Sequence, residues 1–193
     1  GGIVAKNSGN LLLDNVMYLS QVKGHRQVAS LVGRNENKLT IKKGVATNVT
    51  GQKFIGSAVG SNSGTIDIDS LSFIHKFNVE GSAYPIVYRT DLIGVSHVGL
   101  ILGVNEKSAK VNIKNVTTGI MSTYVEEDTY IRADSVVGGF VGLNEKNATI
   151  TISTSAMLKS STLGEVPYVG GFVGINRGKV DVTNSYVKGP LSG

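Results

Sequence analysis

The residues that could do chemistry are few and scattered. His25, His75 and His97 are the three histidines, none sits in an HExxH pair, and their spacings suit no metal site. The chain has no Cys, which excludes disulfides and thiolate metal ligands but leaves the compartment open. No Gly-x-Ser-x-Gly elbow is present, and no Gly-Lys-Ser/Thr follows a glycine cluster as a phosphate loop requires. The calcium-binding nonapeptide Gly-Gly-x-Gly-x-Asp is also missing. Asp67 and Asp181 occupy one repeat position, but its other occupants are Leu12, Thr40, Asn112 and Thr151. That column reads as a solvated strand face, not as the carboxylate pair of a glycosidase. No catalytic residue, metal ligand or cofactor is expected.

Contact chemistry is denser in two stretches. Tyr84, Tyr88 and Arg89 lie in the first, and Tyr124, Glu126, Glu127, Asp128, Tyr130 and Arg132 in the second. Tyr and Arg are typical residues of binding surfaces, and these nine are the candidate binding set. The alternative is that the tyrosines pin their loops to a scaffold.

The scaffold is a repeat. Val137–Asn144 reads VGGFVGLN and Val169–Asn176 reads VGGFVGIN, differing at one position. With Asn as anchor, weaker copies end at Asn7, Asn35, Asn62 and Asn105. A few residues after each anchor comes an apolar-x-apolar triplet: Leu11–Leu13, Leu39–Ile41, Ile66–Ile68, Val111–Ile113, Ile150–Ile152 and Val180–Val182. Alternation with period 2 marks a strand with one buried face. No segment sustains a period of 3.6, so helices should be minor.

A unit this small cannot bury its apolar face alone, and stacking each strand on its counterpart in the next copy solves this. The expected fold is all-β, a parallel β-solenoid (a right-handed β-helix) of about six coils. At about 4.8 Å per strand the rod would be about 29 Å long. Successive anchors are 28, 27, 43, 39 and 32 residues apart. The shortest interval is the undecorated coil, and the longest two place insertions at about 72–97 and 117–136. Asn105-Glu-Lys and Asn144-Glu-Lys each begin a corner two residues longer than in the other copies.

Four columns precede the triplets. Asn7, Asn35, Asn62, Asn105, Asn144 and Asn176 are invariant, and an amide stacked on its own kind can form a hydrogen-bonded ladder. Two places earlier stand Ala5, Gly33, Gly60, Gly103, Gly142 and Gly174, a mark of bending or close backbone approach. Before them run two adjacent apolar columns, Ile3/Leu31/Ala58/Ile101/Phe140/Phe172 and Val4/Val32/Val59/Leu102/Val141/Val173. Strict alternation cannot bury both. Either a bulge at the Gly turns the chain or one column is exposed as a contact surface.

The run from Val169 to Gly189 resembles the GLUG repeat, roughly Gly-Gly-Leu-Val-Gly-x-Asn-x-Gly-x-Ile followed by Asn-Ser-Tyr and a closing Gly. The fifth copy matches well, and the match fades in the first four, where the glycine pair becomes Ala29-Ser30, Gly56-Ser57 or Gly99-Leu100. Similar repeats occur in large bacterial surface proteins, including adhesins and non-catalytic parts of immunoglobulin-A-cleaving metallopeptidases, and in some protist proteins. The resemblance implies a β-solenoid spacer or binding module, and its motif carries no catalytic residues.

Composition fits that reading. Apolar residues make up 40% of the 193, enough for a core, and glycines number 25 against 3 prolines, unlike a Pro-rich disordered chain. The net charge of +5 is spread out, with a mild basic excess at Lys23, Arg26, Arg34, Lys38, Lys42 and Lys43, and no nucleic-acid-binding motif accompanies it. No apolar run is long enough to span a bilayer. The chain opens on Gly1 in mid-repeat, so a fragment of a longer protein is expected. Sequons stand at Asn48, Asn115 and Asn147 and matter only in a secreted eukaryotic protein. The expected role is a non-enzymatic structural or adhesion module at the cell surface or outside the cell. Its partners would be adjacent repeats or domains and a host protein or glycan ligand, without nucleic acid or membrane insertion. A carbohydrate-active β-helix enzyme and a filament subunit are the alternatives.

Overall fold

The computed structural model describes residues 1–73, 75–77, 86–88, 91–118, 129–158, 160–163 and 166–188. The chain is a parallel β-solenoid whose strands stack copy on copy. Val4–Asn7, Val32–Asn35, Val59–Asn62, Leu102–Asn105, Val141–Asn144 and Val173–Asn176 form one six-stranded sheet, called the Asn sheet below. Asn10–Asp14, Lys38–Val45, Thr65–Ser72, Lys110–Lys114, Thr149–Ser153 and Lys179–Thr183 form the triplet sheet. Both follow chain order, and every pairing is parallel and in register, Asn on Asn and triplet on triplet.

The triplet strands form where alternation predicts. Leu39, Ile41, Ile66, Ile68, Val111, Ile113, Ile150 and Ile152 point inward and are buried. Three residues after each triplet centre the chain turns through a left-handed residue: Asn15, Lys43, Ser70, Asn115, Thr154 and Asn184, with φ between 47 and 65°. Asn tolerates this conformation, whereas Lys and the β-branched Thr do so at a cost.

Two five-stranded return sheets close the coil. The first holds Val22–Lys23, Val49–Thr50, Asp91–Ile93, Thr129–Arg132 and Ser160–Leu163. The second holds Arg26–Val28, Lys53–Gly56, Ser96–Gly99, Val136–Gly138 and Tyr168–Gly170. A smaller sheet of Thr117–Thr118, Ala156–Leu158 and Tyr186–Lys188 continues the wall beyond the triplets. The stretches expected as insertions are therefore only partly extra. Residues 91–93, 96–99, 117–118, 129–132 and 136 are coil strands in parallel register with their neighbours. Within the first stretch, His75–Phe77 pairs antiparallel with Ile86–Tyr88 as a hairpin set on the third coil.

Both apolar columns before the Gly are buried in coils two to five, and neither is a contact surface there. Leu31, Ala58, Ile101 and Phe140 are fully buried, as are Val32, Val59, Leu102 and Val141. The chain bends before the strand, at residues 30–31, 57–58, 100–101 and 139–140, so the residue ahead of the strand faces inward from the corner. The Gly column has a different task. A Cβ on Gly103 would lie 2.4 Å from the backbone carbon of Phe54 and 2.7 Å from the oxygen of Gly60. Gly is required because the return strand packs backbone against backbone there.

Candidate functional site

The most regular chemical feature of the rod is the Asn column. Each Nδ2 donates to the Oδ1 of the next anchor: Asn7 to Asn35 at 2.7 Å, Asn35 to Asn62 at 2.8 Å, Asn62 to Asn105 and Asn105 to Asn144 at 2.9 Å, and Asn144 to Asn176 at 2.8 Å. The amides of Asn35, Asn62, Asn105 and Asn144 are fully buried. Their Nδ2 groups also donate to carbonyls across the corner, as Asn105 does to Thr149 at 3.2 Å. The Oδ1 of Asn62 additionally accepts from the backbone N–H of Gly64. Each amide is thus donor and acceptor at once. Asp lacks the donor, and an apolar residue would orphan the polar groups on both sides.

Outside this corner runs an ionic network. Glu36 receives Lys6 at 3.0 Å and Arg34 at 2.9 Å, and Arg34 also reaches Glu106 at 3.2 Å, so one arginine joins coils two and four. The hydrogen bond from Lys6, helped by Arg34, holds the Glu36 carboxyl below the usual range. Exposed pairs of this kind contribute little individually. The longer corners close as turns, with Ala109 donating to Glu106 at 3.0 Å and Ala148 to Glu145 at 3.1 Å.

The outer face of the triplet sheet carries a shallow groove of about 240 Å³ over coils two to four. Its polar lining is Thr40, Lys42, Asp67, Asp69, Asn112 and Lys114. Asn112 donates to Asp67 at 2.7 Å and Asn115 to Asp69 at 2.9 Å. The bond from Asn115, with that from Ser70, holds the Asp69 carboxyl below its ordinary pKa. The carboxylates are thereby occupied by neighbours of their own face, which suits a solvated surface better than a general acid.

His97 lies in the second return sheet with its ring 5.7 Å from that of Phe54, and Lys53 stands 4.9 Å above the Phe54 ring. The Ser96 hydroxyl is hydrogen-bonded to its Nδ1. Partial burial, with Lys53 and Arg177 nearby, pushes the imidazole pKa down, so the ring is neutral at neutral pH. Among the described residues, no group of three or more His, Asp or Glu could hold a metal ion.

Three of the nine candidate binding residues, Tyr88, Tyr130 and Arg132, lie among the described residues. Tyr88 sits in the hairpin opposite His75. Tyr130 and Arg132 belong to a coil strand, opposite Asp91 and Ile93 on one side and Ser161 and Leu163 on the other, and Arg132 is exposed. Tyr84, Arg89, Tyr124, Glu126, Glu127 and Asp128 lie outside the described residues. Of the sequons, Asn147 is exposed on a turn, whereas Asn48 accepts a bond from the Asp91 N–H and Asn115 holds Asp69.

One buried polar group was not legible in the repeat. Ser30 Oγ donates to the Ser57 carbonyl at 2.6 Å, Ser57 Oγ donates to the Thr47 carbonyl at 2.7 Å, and Thr47 Oγ1 donates to the Tyr18 carbonyl at 2.7 Å. This network ties the bend before the Asn strand to the opposite wall in the lower coils. Higher up, the equivalents of Ser30 and Ser57 are Leu100 and Gly139, and the Met157 sulfur lies where a Cβ on Gly139 would stand. The only signal was serine in an otherwise apolar corner. No helix of the described residues is long and apolar enough to cross a membrane. Compared with known proteins, the chain matches no family model, no curated protein and no solved structure.

Proposed function

We propose that this chain is a non-enzymatic structural module of a larger extracellular or cell-surface protein, a rigid rod that spaces or presents what it carries. The observation that supports this most is the unbroken Asn ladder. Its bonds stay between 2.7 and 2.9 Å while the chain between successive anchors varies from 27 to 43 residues. A scaffold that tolerates added chain without losing register suits the display of variable loops. Among the described residues the buried ladder amides and the corner hydroxyls of Ser30, Ser57 and Thr47 are engaged in bonds within the rod. The resemblance of residues 169–189 to GLUG repeats points the same way.

In this reading the hairpin on coil three and the stretch at 119–128 are the contact elements, with a host protein or glycan as ligand. Intact source cells treated with a membrane-impermeant amine reagent should label the native protein, since Lys107 and Lys146 are exposed. Replacing residues 78–85 and 120–127 by short Gly-Ser turns should abolish adhesion and leave the rod folded. Recovery of the native protein only from a soluble cytoplasmic fraction would contradict the proposal.

A further inference from the structure

The outer face of the triplet sheet carries its cations in a regular order. The outward residues that open the triplet strands stand in one column, with Lys38 against Thr65, Thr65 against Lys110, Lys110 against Thr149 and Thr149 against Lys179. Lysine and threonine alternate, so a cation recurs at every second coil and no carboxylate stands between. The three lysines are exposed and the two threonines half-buried. Two strand spacings separate successive lysines, about 9.6 Å along the rod. The longer corners of coils four and five add Lys107, three residues ahead of Lys110, and Lys146, three residues ahead of Thr149, both exposed on their turns.

The carboxylates nearest this stripe are already engaged. Glu36 and Glu106 hold Arg34, and Glu145 faces Arg177 at 3.6 Å. In the next column Asp67 accepts from Asn112, and Asp181 takes Lys179 at 2.7 Å. Lys38, Lys107, Lys110 and Lys146 have no ion-pair partner among the described residues. Four free ammonium groups thus follow one corner of the rod, over coils two to five, and their field favours an anionic polymer laid parallel to the rod.

The spacing discriminates among such polymers. Phosphates of a duplex DNA strand recur at about 3.4 Å along the axis, far closer than the lysines. The outward residues of the triplet strands include no aromatic ring on which bases could stack. A linear polysaccharide instead advances by one disaccharide over the distance between successive lysines. An acidic group on every second sugar would meet each lysine, and the threonine hydroxyl between them would meet the neutral sugar. We propose that this corner binds a linear acidic polysaccharide, charged on alternate sugars, along the Lys38, Lys110 and Lys179 column. The inference goes beyond the presenting role of the rod and uses a surface other than the hairpin and residues 119–128. Loss of adhesion on replacing those loops and loss of this binding are therefore separate results.

Surface plasmon resonance over immobilised hyaluronan, a polymer with one carboxylate per disaccharide, tests it. The unaltered chain should bind and should release as salt is raised. Lys38→Gln combined with Lys110→Gln should weaken binding at least about tenfold, the compounded loss of two exposed charge contacts. Lys23→Gln combined with Arg26→Gln removes the same charge from the return sheets and should leave the affinity unchanged. All four side chains are exposed, and matching urea midpoints would show that both variants fold. Absence of binding by the unaltered chain, equal losses in the two double variants, or equally tight binding to immobilised single-stranded DNA would overturn the proposal.

Discussion

The side-chain amide of Asn62 donates to that of Asn105 at 2.9 Å across 43 residues of chain, while Asn35 donates to Asn62 at 2.8 Å across 27. The sixteen-residue difference is taken up elsewhere, in part by the hairpin of His75–Phe77 and Ile86–Tyr88, and the ladder does not register it. Inter-coil register is therefore set by the columns and not by chain length. An in-register parallel stack of this kind is strongly specified, since a slip of one residue would turn every inward side chain of the triplet sheet to solvent.

Removing an interior rung should be costly and removing the terminal one cheap. Asn105→Ala leaves the buried Asn144 Oδ1 without its donor, at about 1–3 kcal/mol, and removes the shortest of the three bonds that Asn62 Nδ2 makes. Asn176 is exposed, so in Asn176→Ala water can replace its oxygen as acceptor for the Asn144 amide, which keeps its bond to the Lys179 carbonyl, and the cost should be about 1 kcal/mol or less. Urea unfolding of the two variants checks the contrast, and equal losses would mean that the ladder is not the source of the stability.

Glycines in the same repeat should differ sharply in tolerance. Gly103→Ala places a methyl against the backbone of Phe54 and Ile55, and is expected to cost at least about 1–3 kcal/mol through forced backbone shifts. Gly9→Ala meets nothing within 4 Å and should change stability by less than about 0.5 kcal/mol. Thermal unfolding midpoints of the pair report the difference.

The left-handed corner offers a stabilising change. Thr154 is exposed at φ 49°, while Asn115 and Asn184 hold the same column position in the coils on either side. Thr154→Asn should raise stability by about 1 kcal/mol by relieving the β-branched residue. A shift of the urea midpoint to higher concentration with an unchanged slope is the expected result.

His97 should make the rod sensitive to mild acid. Its folded-state pKa lies below the ordinary value of 6.5 because of burial and the charges of Lys53 and Arg177. The unfolded chain then binds more protons over that window, so stability falls as pH drops from about 6.5 toward the folded pKa, and is constant above that window as far as this group is concerned. His97→Gln should flatten that part of the profile. Denaturant titrations at several pH values between about 5 and 7.5 measure it.

Much of the fold was legible because two signals repeat at fixed offsets. All six triplets lie in triplet-sheet strands and all six anchors in the ladder. Return strands such as Val22–Lys23 and Val49–Thr50 are two residues long, too short for alternation to show. They also fall in intervals of varying length, where counting from the anchor fails. That is why 91–97 and 129–136 read as parts of insertions although they hold coil strands. The pair of apolar columns was ambiguous because the bend lies one residue ahead of the strand, at Leu31 and its equivalents, and no Gly or Pro marks it in coils two to four. The candidate contacts were chosen from composition, which places Tyr and Arg near an irregularity but does not distinguish a loop from a strand. Tyr130 and Arg132 are in a strand.

The central claim is that equivalent columns lie in register across the longest interval. With no native Cys, paired cysteines test it without interference. Asp67 and Asn112 are partners on adjacent strands of the triplet sheet, about 4.8 Å apart at Cα. Asp67→Cys with Asn112→Cys should therefore close an intramolecular disulfide in the folded protein under mild oxidation, within the reach such a bond allows. Asp67→Cys with Lys114→Cys, displaced by two residues, should not. Rapid closure of the displaced pair with none in the matched pair would contradict the register and the rod built on it.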